Sequence, residues 1–500
     1  MTGTISSVMR KLLPVAGAVA ICVTSIVSTS ASSAPITQPW HLDRINQRTL
    51  PLDGNISMGS LTGQGVTVYV VDSGVNLTHE QFGARALAGL DELTHDNNDP
   101  VSPASSDCNG HGTHVAALSS GSTVGVAPGS TIVSVRVLDC DGEGRVPYVV
   151  AALKWVRGHH VGNTPAIVNL SLGVDIGDEG SSIDEQVRAL LAEGVVVTIA
   201  AGNGDSYGRY NSCDIAPAHV EGALTVGAVA INDAFTTYSG FGPCVDILAP
   251  GGTSSTGIES AWIGSTSAYD IDAGTSMASP LVAGYAAQLL QQQPGLCPTQ
   301  ISDAVVSRAT TGVVTALDAT TANRLLFIDT TPVAAVRPGM PSHVITSTGN
   351  GTLAVSWDAP CDGGSPITST RVALVRNGRV VKKMTVGPGV TSARFSNLPN
   401  GVRYSVVVKA TNALGEGIAT SRYATPIVRS LRRGQTLTTT SVARFGGDLS
   451  LKWRVSSGSA RICRLVSGGT KIAFLRAGTC RVALRTITNG PAAVRNLRIS

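Results

Sequence analysis

Three short motifs carry an aspartate, a histidine and a serine in settings that suit nucleophilic catalysis. Asp72 stands in Asp72-Ser73-Gly74, directly after a β-branched run at 66–71. His111 stands in Asn109-Gly110-His111-Gly112-Thr113-His114, and Ser276 in Gly274-Thr275-Ser276-Met277-Ala278-Ser279-Pro280. A serine hydroxyl is a weak nucleophile until an imidazole takes its proton. The imidazole in turn needs a buried carboxylate to fix its tautomer and stabilise its charged form. Such a trio attacks a carbonyl carbon and forms an acyl-enzyme. Taken singly, Asp-Ser-Gly is an ordinary turn and His-x-x-His an ordinary helix face; it is the combination that points to catalysis. His114 is expected to be a structural neighbour of His111. The serine setting is not the Gly-x-Ser-x-Gly of ester-cleaving hydrolases, which argues against that chemistry.

These groups need a frame. Short apolar runs at 66–71, 131–138, 166–170, 195–200 and 224–229 read as strands buried on both faces. Amphipathic stretches such as 149–156 and 182–193 lie between them. That alternation predicts an α/β fold, a doubly wound parallel sheet with helices on both faces. Open sheets of this kind place their sites at strand carboxyl ends, where Asp72 stands, and His111 and Ser276 each open a helix.

The 500-residue chain is long enough for several domains. Residues 1–34 read as a signal peptide: Arg10 and Lys11, an apolar stretch from Leu12 to Val27, then small residues ending at Ala34. Export keeps the eight remaining cysteines in an oxidising compartment. Neither Cys-x-x-Cys nor His-Glu-x-x-His occurs, which disfavours a zinc site. The expected domains are 35–330, a linker at 331–338, and two all-β sandwich modules at 339–428 and 429–500, where short alternating segments and turn residues replace helices.

Residues 39–328 resemble a subtilase of the proteinase K and aqualysin type. The likeness rests on Gln38-Pro39-Trp40-His41-Leu42-Asp43-Arg44-Ile45, the three motifs above in the chain order Asp, His, Ser, and Ala200-Ala201-Gly202-Asn203. It implies a secreted serine endopeptidase with Asp72, His111 and Ser276 as the triad, and Asn203 with the Ser276 backbone N–H as the oxyanion hole. It also implies that an extended substrate adds as a strand between Gly142-Glu143-Gly144 and Ser171-Leu172-Gly173, with Ala200 and Gly202 walling a roomy apolar pocket of broad preference. Leu281 departs from the histidine common at that position; it bears no catalytic proton. The rival reading, an inactive surface-binding protein, is disfavoured by the intact triad and Asn203.

The resemblance further implies disulfides Cys108–Cys140 and Cys213–Cys244, each stabilising by roughly 3–4 kcal/mol on the chain-entropy model. It implies structural Ca²⁺ at Asp246 with the carbonyls of Glu221 and Ala223. Cys463–Cys480 is expected within the last module, leaving Cys297 and Cys361 to pair across the domain boundary. The mature family start follows Ala34 at once, so no inhibitory prodomain is expected.

Residues 339–428 resemble a fibronectin type III domain through Trp357 and Leu398-Pro399-Asn400-Gly401-Val402-Arg403-Tyr404. Residues 429–500 resemble bacterial Ig-like repeats ending in Ala477-Gly478-Thr479-Cys480. They hold 14 Lys+Arg and one acidic residue, Asp448, whereas the rest of the chain carries a net charge of −9. Such asymmetry, with Lys452 and Arg454 alternating against Trp453 and with Arg481 and Arg485 on a second strand, predicts attachment to an anionic cell-wall or polysaccharide polymer. Few aromatics interleave, so no specific nucleic acid is expected. A monomer acting on protein and peptide substrates is expected.

Overall fold

A computed structural model describes residues 39–93, 106–160, 164–175, 180–204 and 208–426. Beyond these it describes the strands at 4–7, 436–438, 452–455, 463–466, 471–474, 478–485 and 493–499. The expected signal peptide lies outside the described residues apart from 4–7. Two compact units result: Met1–Gly339 with Cys361–Pro366, and Met340–Pro360 with Ile367–Ser500.

The first unit is the α/β domain. It begins with β1 (Thr4–Ser7), α1 (Trp40–Asn46), β2 (Thr67–Asp72), β3 (Ala86–Asp91), α2 (His111–Ser120), β4 (Thr131–Arg136) and β5 (Glu143–Arg145). It continues through α3 (Val146–His159), β6 (Ala166–Leu170), β7 (Leu172–Asp175), α4 (Gly180–Ala192), β8 (Val196–Ala200), β9 (Ile215–Ala216), β10 (Leu224–Val229) and β11 (Ile247–Pro250). The hairpin β12 (Ile258–Ala261) and β13 (Tyr269–Asp272), α5 (Thr275–Gln292), α6 (Pro298–Arg308), β14 (Thr310–Thr311) and β15 (Arg324–Leu325) complete it. Every apolar run expected as a strand is one.

The central sheet has the order β14-β15-β11-β10-β8-β6-β2-β4-β3, parallel except for the β14 edge. Later strands add on both sides of β2: β4 and β3 on one, β6, β8, β10 and β11 on the other. Strand order therefore reverses beside β2, and the crevice at its carboxyl end is where such sheets build sites. Val68 and Val70 of β2 pack with α2 and α5 in one core, while Tyr69 and Val71 pack with α3 and α4 in another. This two-sided burial is the reason the strands read as continuous apolar runs. Helix α3 presents Val149, Ala152, Leu153 and Val156 to its core at helical spacing, each contributing about 1 to 3 kcal/mol. Helix α2 is buried on all sides and is built largely of small residues. Among the described residues no helix is long and apolar enough to cross a membrane.

The second unit is all β. Strands β16 (Ser342–Gly349), β17 (Thr352–Asp358) and β20 (Ser392–Phe395) form one sheet. Strands β18 (Ser369–Arg376), β19 (Arg379–Val386), β21 (Tyr404–Asn412), β22 (Gly415–Glu416) and β23 (Thr420–Ala424) form the other. Trp357, Leu398 and Tyr404 sit in the core between them. Two further three-stranded sheets follow. One is β24 (Thr436–Thr438), β27 (Lys471–Phe474) and β26 (Cys463–Val466); the other is β25 (Lys452–Val455), β28 (Gly478–Arg485) and β29 (Ala493–Ile499).

Candidate active site

Asp72 closes β2, and His111 and Thr275 open α2 and α5, so three element ends deliver the three side chains. The His111 Nδ1–H donates to Asp72 Oδ1 at 2.7 Å, with both side chains fully buried. The same oxygen accepts the Ser73 N–H at 2.7 Å. A carboxylate on Nδ1 holds the proton there and leaves the lone pair on Nε2, the tautomer that a base requires. Burial by itself lowers the basicity of His111; the charge and hydrogen bond of Asp72, with Asp272 and Asp107 beyond, outweigh it and hold the imidazole above its ordinary value of 6.5. His111 Nε2 has no hydrogen-bond partner among the described residues. The Ser276 hydroxyl donates instead to the Ser171 carbonyl at 3.3 Å, so Ser276 and His111 are not hydrogen-bonded in this conformation.

Close backbone approach makes the pairing possible. A Cβ at Gly112 would lie 2.1 Å from the Gly74 carbonyl and 3.1 Å from Asp72 Cβ. Only glycine lets α2 sit this tightly on the end of β2. His114 donates from Nε2 to the Ile258 carbonyl at 3.0 Å, and burial pushes it down to about 3. It is a neutral tie between α2 and β12, as expected.

Behind Ser276 lies a buried polar network. Pro280 has no N–H to return to the carbonyl of Ser276 four residues earlier, which leaves that carbonyl outside the helix ladder. The Ser171 hydroxyl supplies the missing donor at 3.0 Å. Asn169 donates to Ser171 Oγ at 3.0 Å and accepts from Thr198 at 3.0 Å and Ser279 at 2.9 Å. Helix α5 is thereby fastened to β6 and β8 through side chains.

Asn203 turns its carbonyl oxygen to Thr275, accepting from the backbone N–H at 3.0 Å and the hydroxyl at 2.8 Å. Its amide nitrogen and the Ser276 backbone nitrogen surround one point: the position of a Cβ on Gly274 lies 3.0 Å from the first and 3.6 Å from the second. The two nitrogens implied as oxyanion donors thus flank one position beside Gly274.

The two implied substrate edges bracket one strand. The chain's own β1 pairs antiparallel with β5, Ile5 opposite Gly144, and with β7, Ser6 opposite Gly173 and Ser7 opposite Leu172. The resulting order is β5-β1-β7-β9. Gly142 turns the chain before β5 at φ 78°. A Cβ at Gly144 would lie 2.6 Å from the Val137 carbonyl. Ala200 ends β8 fully buried, with Gly202 beyond it.

Disulfides join Cys108 to Cys140 and Cys213 to Cys244, and Cys297 to Cys361, whose segment belongs to the first unit. Cys463 is disulfide-bonded; the side chain of Cys480 lies outside the described residues. Asp246 accepts the Thr225 N–H at 2.8 Å, and burial pushes its carboxyl up to about 6. A carboxylate strained by burial suits a hard cation, with Glu221 and Ala223 close by in sequence to β10. Among the described residues no three His, Cys, Asp or Glu side chains gather as a metal site.

Sequence reasoning missed Asp107, Asn169, Thr198 and Ser279. Polar residues within or beside apolar runs, such as Asn169 in Ala166–Leu170, were the available signal.

Residues 63–325 match the model of the subtilase family, and residues 338–427 that of the fibronectin type III domain. The chain is similar to an extracellular serine proteinase of Thermus sp. (strain Rt41A), 42% identical over 301 residues, covering 60% of this chain and 68% of that one. It is also similar to alkaline serine exoprotease A of Vibrio alginolyticus, 42% identical over 286 residues, covering 57% of this chain and only 49% of the relative. The crystal structure of a cold adapted subtilisin-like serine proteinase matches with a TM-score of 0.53 and 40% identity, over 59% of this chain and all of that one.

Proposed function

Since this chain belongs to the subtilase family, we propose that it is a secreted serine endopeptidase that cleaves peptide bonds through an acyl-enzyme on Ser276. The carrying observation is the buried 2.7 Å hydrogen bond between Asp72 and His111 at the switch point of the sheet. A rotation of the Ser276 side chain from Ser171 toward Nε2 completes the relay. His111 then takes the hydroxyl proton as Oγ attacks the scissile carbonyl, and returns it to the leaving amine. Asp72 holds the tautomer and stabilises the imidazolium. The Asn203 amide and the Ser276 N–H receive the negative oxygen. Water, deprotonated by His111, releases the acyl group.

Substrate enters as an antiparallel strand between Gly142-Glu143-Gly144 and Ser171-Leu172-Gly173, the two edges that β1 bridges. The small residues Ala200 and Gly202 favour broad specificity with apolar preference. Calcium at Asp246, with backbone carbonyls of Glu221 and Ala223, would neutralise a buried carboxylate and stiffen the start of β10.

The last module holds the enzyme on an anionic wall or polysaccharide polymer. The register supports this reading. Lys452 pairs with Arg485, Arg454 with Ala483 and Thr479 with Arg498, so Lys452, Arg454, Arg481, Arg485 and Arg498 occupy register positions on one sheet face. Truncation after Val428 is expected to abolish low-salt retention on heparin resin and anionic cell walls; equal retention of both forms rejects the anchor.

The central test is casein hydrolysis together with covalent labelling by a serine-directed phosphonate. Wild type should do both, Ser276→Ala neither. Hydrolysis that survives Ser276→Ala overturns the reading.

A further inference from the structure

One carboxylate outside the triad ties the two elements that carry Asp72 and His111. Asp107 lies just ahead of α2. Its Oδ1 accepts the Ser73 hydroxyl at 2.9 Å, the Asn109 N–H at 3.0 Å and the Gly110 N–H at 2.8 Å. Its Oδ2 accepts the Thr113 N–H at 2.9 Å and the Thr113 hydroxyl at 2.6 Å. Ser73 is the neighbour of Asp72, and its hydroxyl oxygen also accepts the Gly112 N–H at 2.9 Å. Thr113 Oγ1 accepts the Asn76 N–H at 2.9 Å, so the segment after β2 is held a second time.

These bonds have two consequences. First, the opening N–H groups of a helix lack partners within the helix, and an acidic group there satisfies them and favours the positive end of the helix dipole. Asp107 does this for the turn on which His111 sits. Second, through Ser73 and Thr113 it fixes that turn against the end of β2. The Asp72–His111 bond spans these two elements, and its length follows from how they are held. Burial pushes the Asp107 carboxyl up, against the pull of its hydrogen bonds to Gly110, Thr113 and Ser73.

We propose that Asp107 is a positioning residue for the hydrolysis, acting through His111: it braces α2 against β2 and adds negative charge behind the imidazole. This rests on the proposed triad. The charged and titratable groups around His111 are Asp72 from β2, Asp272 from β13, Asp107 from the loop ahead of α2, and His114 on the same helix. Burial lowers the basicity of His111, and all three carboxylates raise it. Loss of Asp107 therefore lowers it, and the base stays neutral to a lower pH.

The test compares wild type, Asp107→Asn, Asp107→Ala, Thr113→Val and Ser276→Ala in the full chain. Active sites are titrated, and kcat and KM for a small peptide substrate are measured across pH. Asp107→Asn should lower kcat per titrated site at least about ten-fold, with KM changed less than about two-fold. Its acidic limb should move to lower pH. Thr113→Val keeps the Asp107 carboxylate and removes both hydrogen bonds of the Thr113 hydroxyl, to Asp107 and from the Asn76 N–H, so kcat should fall while the limb stays. Should Asp107→Ala fail to fold, the near-isosteric Asn variant still decides. Wild-type kcat and an unmoved limb in Asp107→Asn, with Ser276→Ala inactive, overturn the brace alone. Activity in Ser276→Ala overturns the triad on which it rests.

Discussion

Ser171 and Ser276 hold each other through two crossed hydrogen bonds: the hydroxyl of each donates to the carbonyl of the other, at 3.0 and 3.3 Å. Ser171 lies on the proposed substrate-binding edge and Ser276 is the proposed nucleophile, 105 positions apart. The Ser171 bond exists because Pro280 cannot serve the Ser276 carbonyl. Removing the donor leaves a buried acceptor unmet, at a cost of about 1–3 kcal/mol. Ser171→Ala should therefore lower stability by that order in denaturant melts. In a Pro280→Ala background, where a backbone N–H returns, the same substitution should cost less. Additive losses in the double-mutant cycle would separate Pro280 from Ser171.

Asn203 is expected to act on the transition state. Asn203→Ala should reduce kcat by ~10²–10³, with little change in KM. Gly274→Ala should approach the same loss, since its Cβ would stand 3.0 Å from the Asn203 amide nitrogen. Steady-state kinetics on one peptide compares them. A Gly274→Ala enzyme with wild-type kcat would mean that the point between the two donors is not where the oxyanion forms.

The acidic limb of kcat/KM should report His111. The free imidazole is the proposed base, and the surrounding carboxylates hold its pKa above 6.5 against the opposing effect of burial. As pH falls through that raised value the base protonates and the rate drops, so the midpoint should lie on the neutral side of 6.5. A midpoint below the ordinary imidazole value would contradict the balance of burial and charge described for this site.

Asp246 is expected to give stability a pH dependence, and the proposed calcium ion would change its sign. Its folded pKa is raised from 3.8 to about 6, so without a cation the fold favours the protonated acid and loses stability as pH rises through that window. A bound cation reverses this by favouring the carboxylate. Added calcium should raise the melting temperature at pH 8 and do little at pH 4. Asp246→Asn should abolish the calcium effect and flatten the pH slope in chelator. Identical calcium responses of wild type and Asp246→Asn would place the ion elsewhere.

Much of the architecture was legible in the residues. Runs such as Thr67–Asp72 and Val196–Ala200 are buried on both faces, so their composition alone identifies parallel strands. Asp72, His111 and Ser276 sit at element ends, where short motifs mark both the turn and the chemistry. The Cys108–Cys140 and Cys213–Cys244 pairings followed from likeness to a family, and the structure makes both.

What the sequence determined by itself is what is local: strand and helix character, the residue types able to do the chemistry, and the basic bias of the final module. The tertiary structure decided which distant polar groups meet. Asn169 joins Thr198, Ser279 and Ser171 because β6, β8 and α5 stack there. Asp107 reaches Ser73 because α2 closes on β2. Cys361 meets Cys297 across 64 positions, and the short segment Cys361–Pro366 goes with the first unit. Periodicity and turn chemistry act over a few residues, whereas a buried polar side chain must find its partner wherever packing brings one, at whatever separation along the chain.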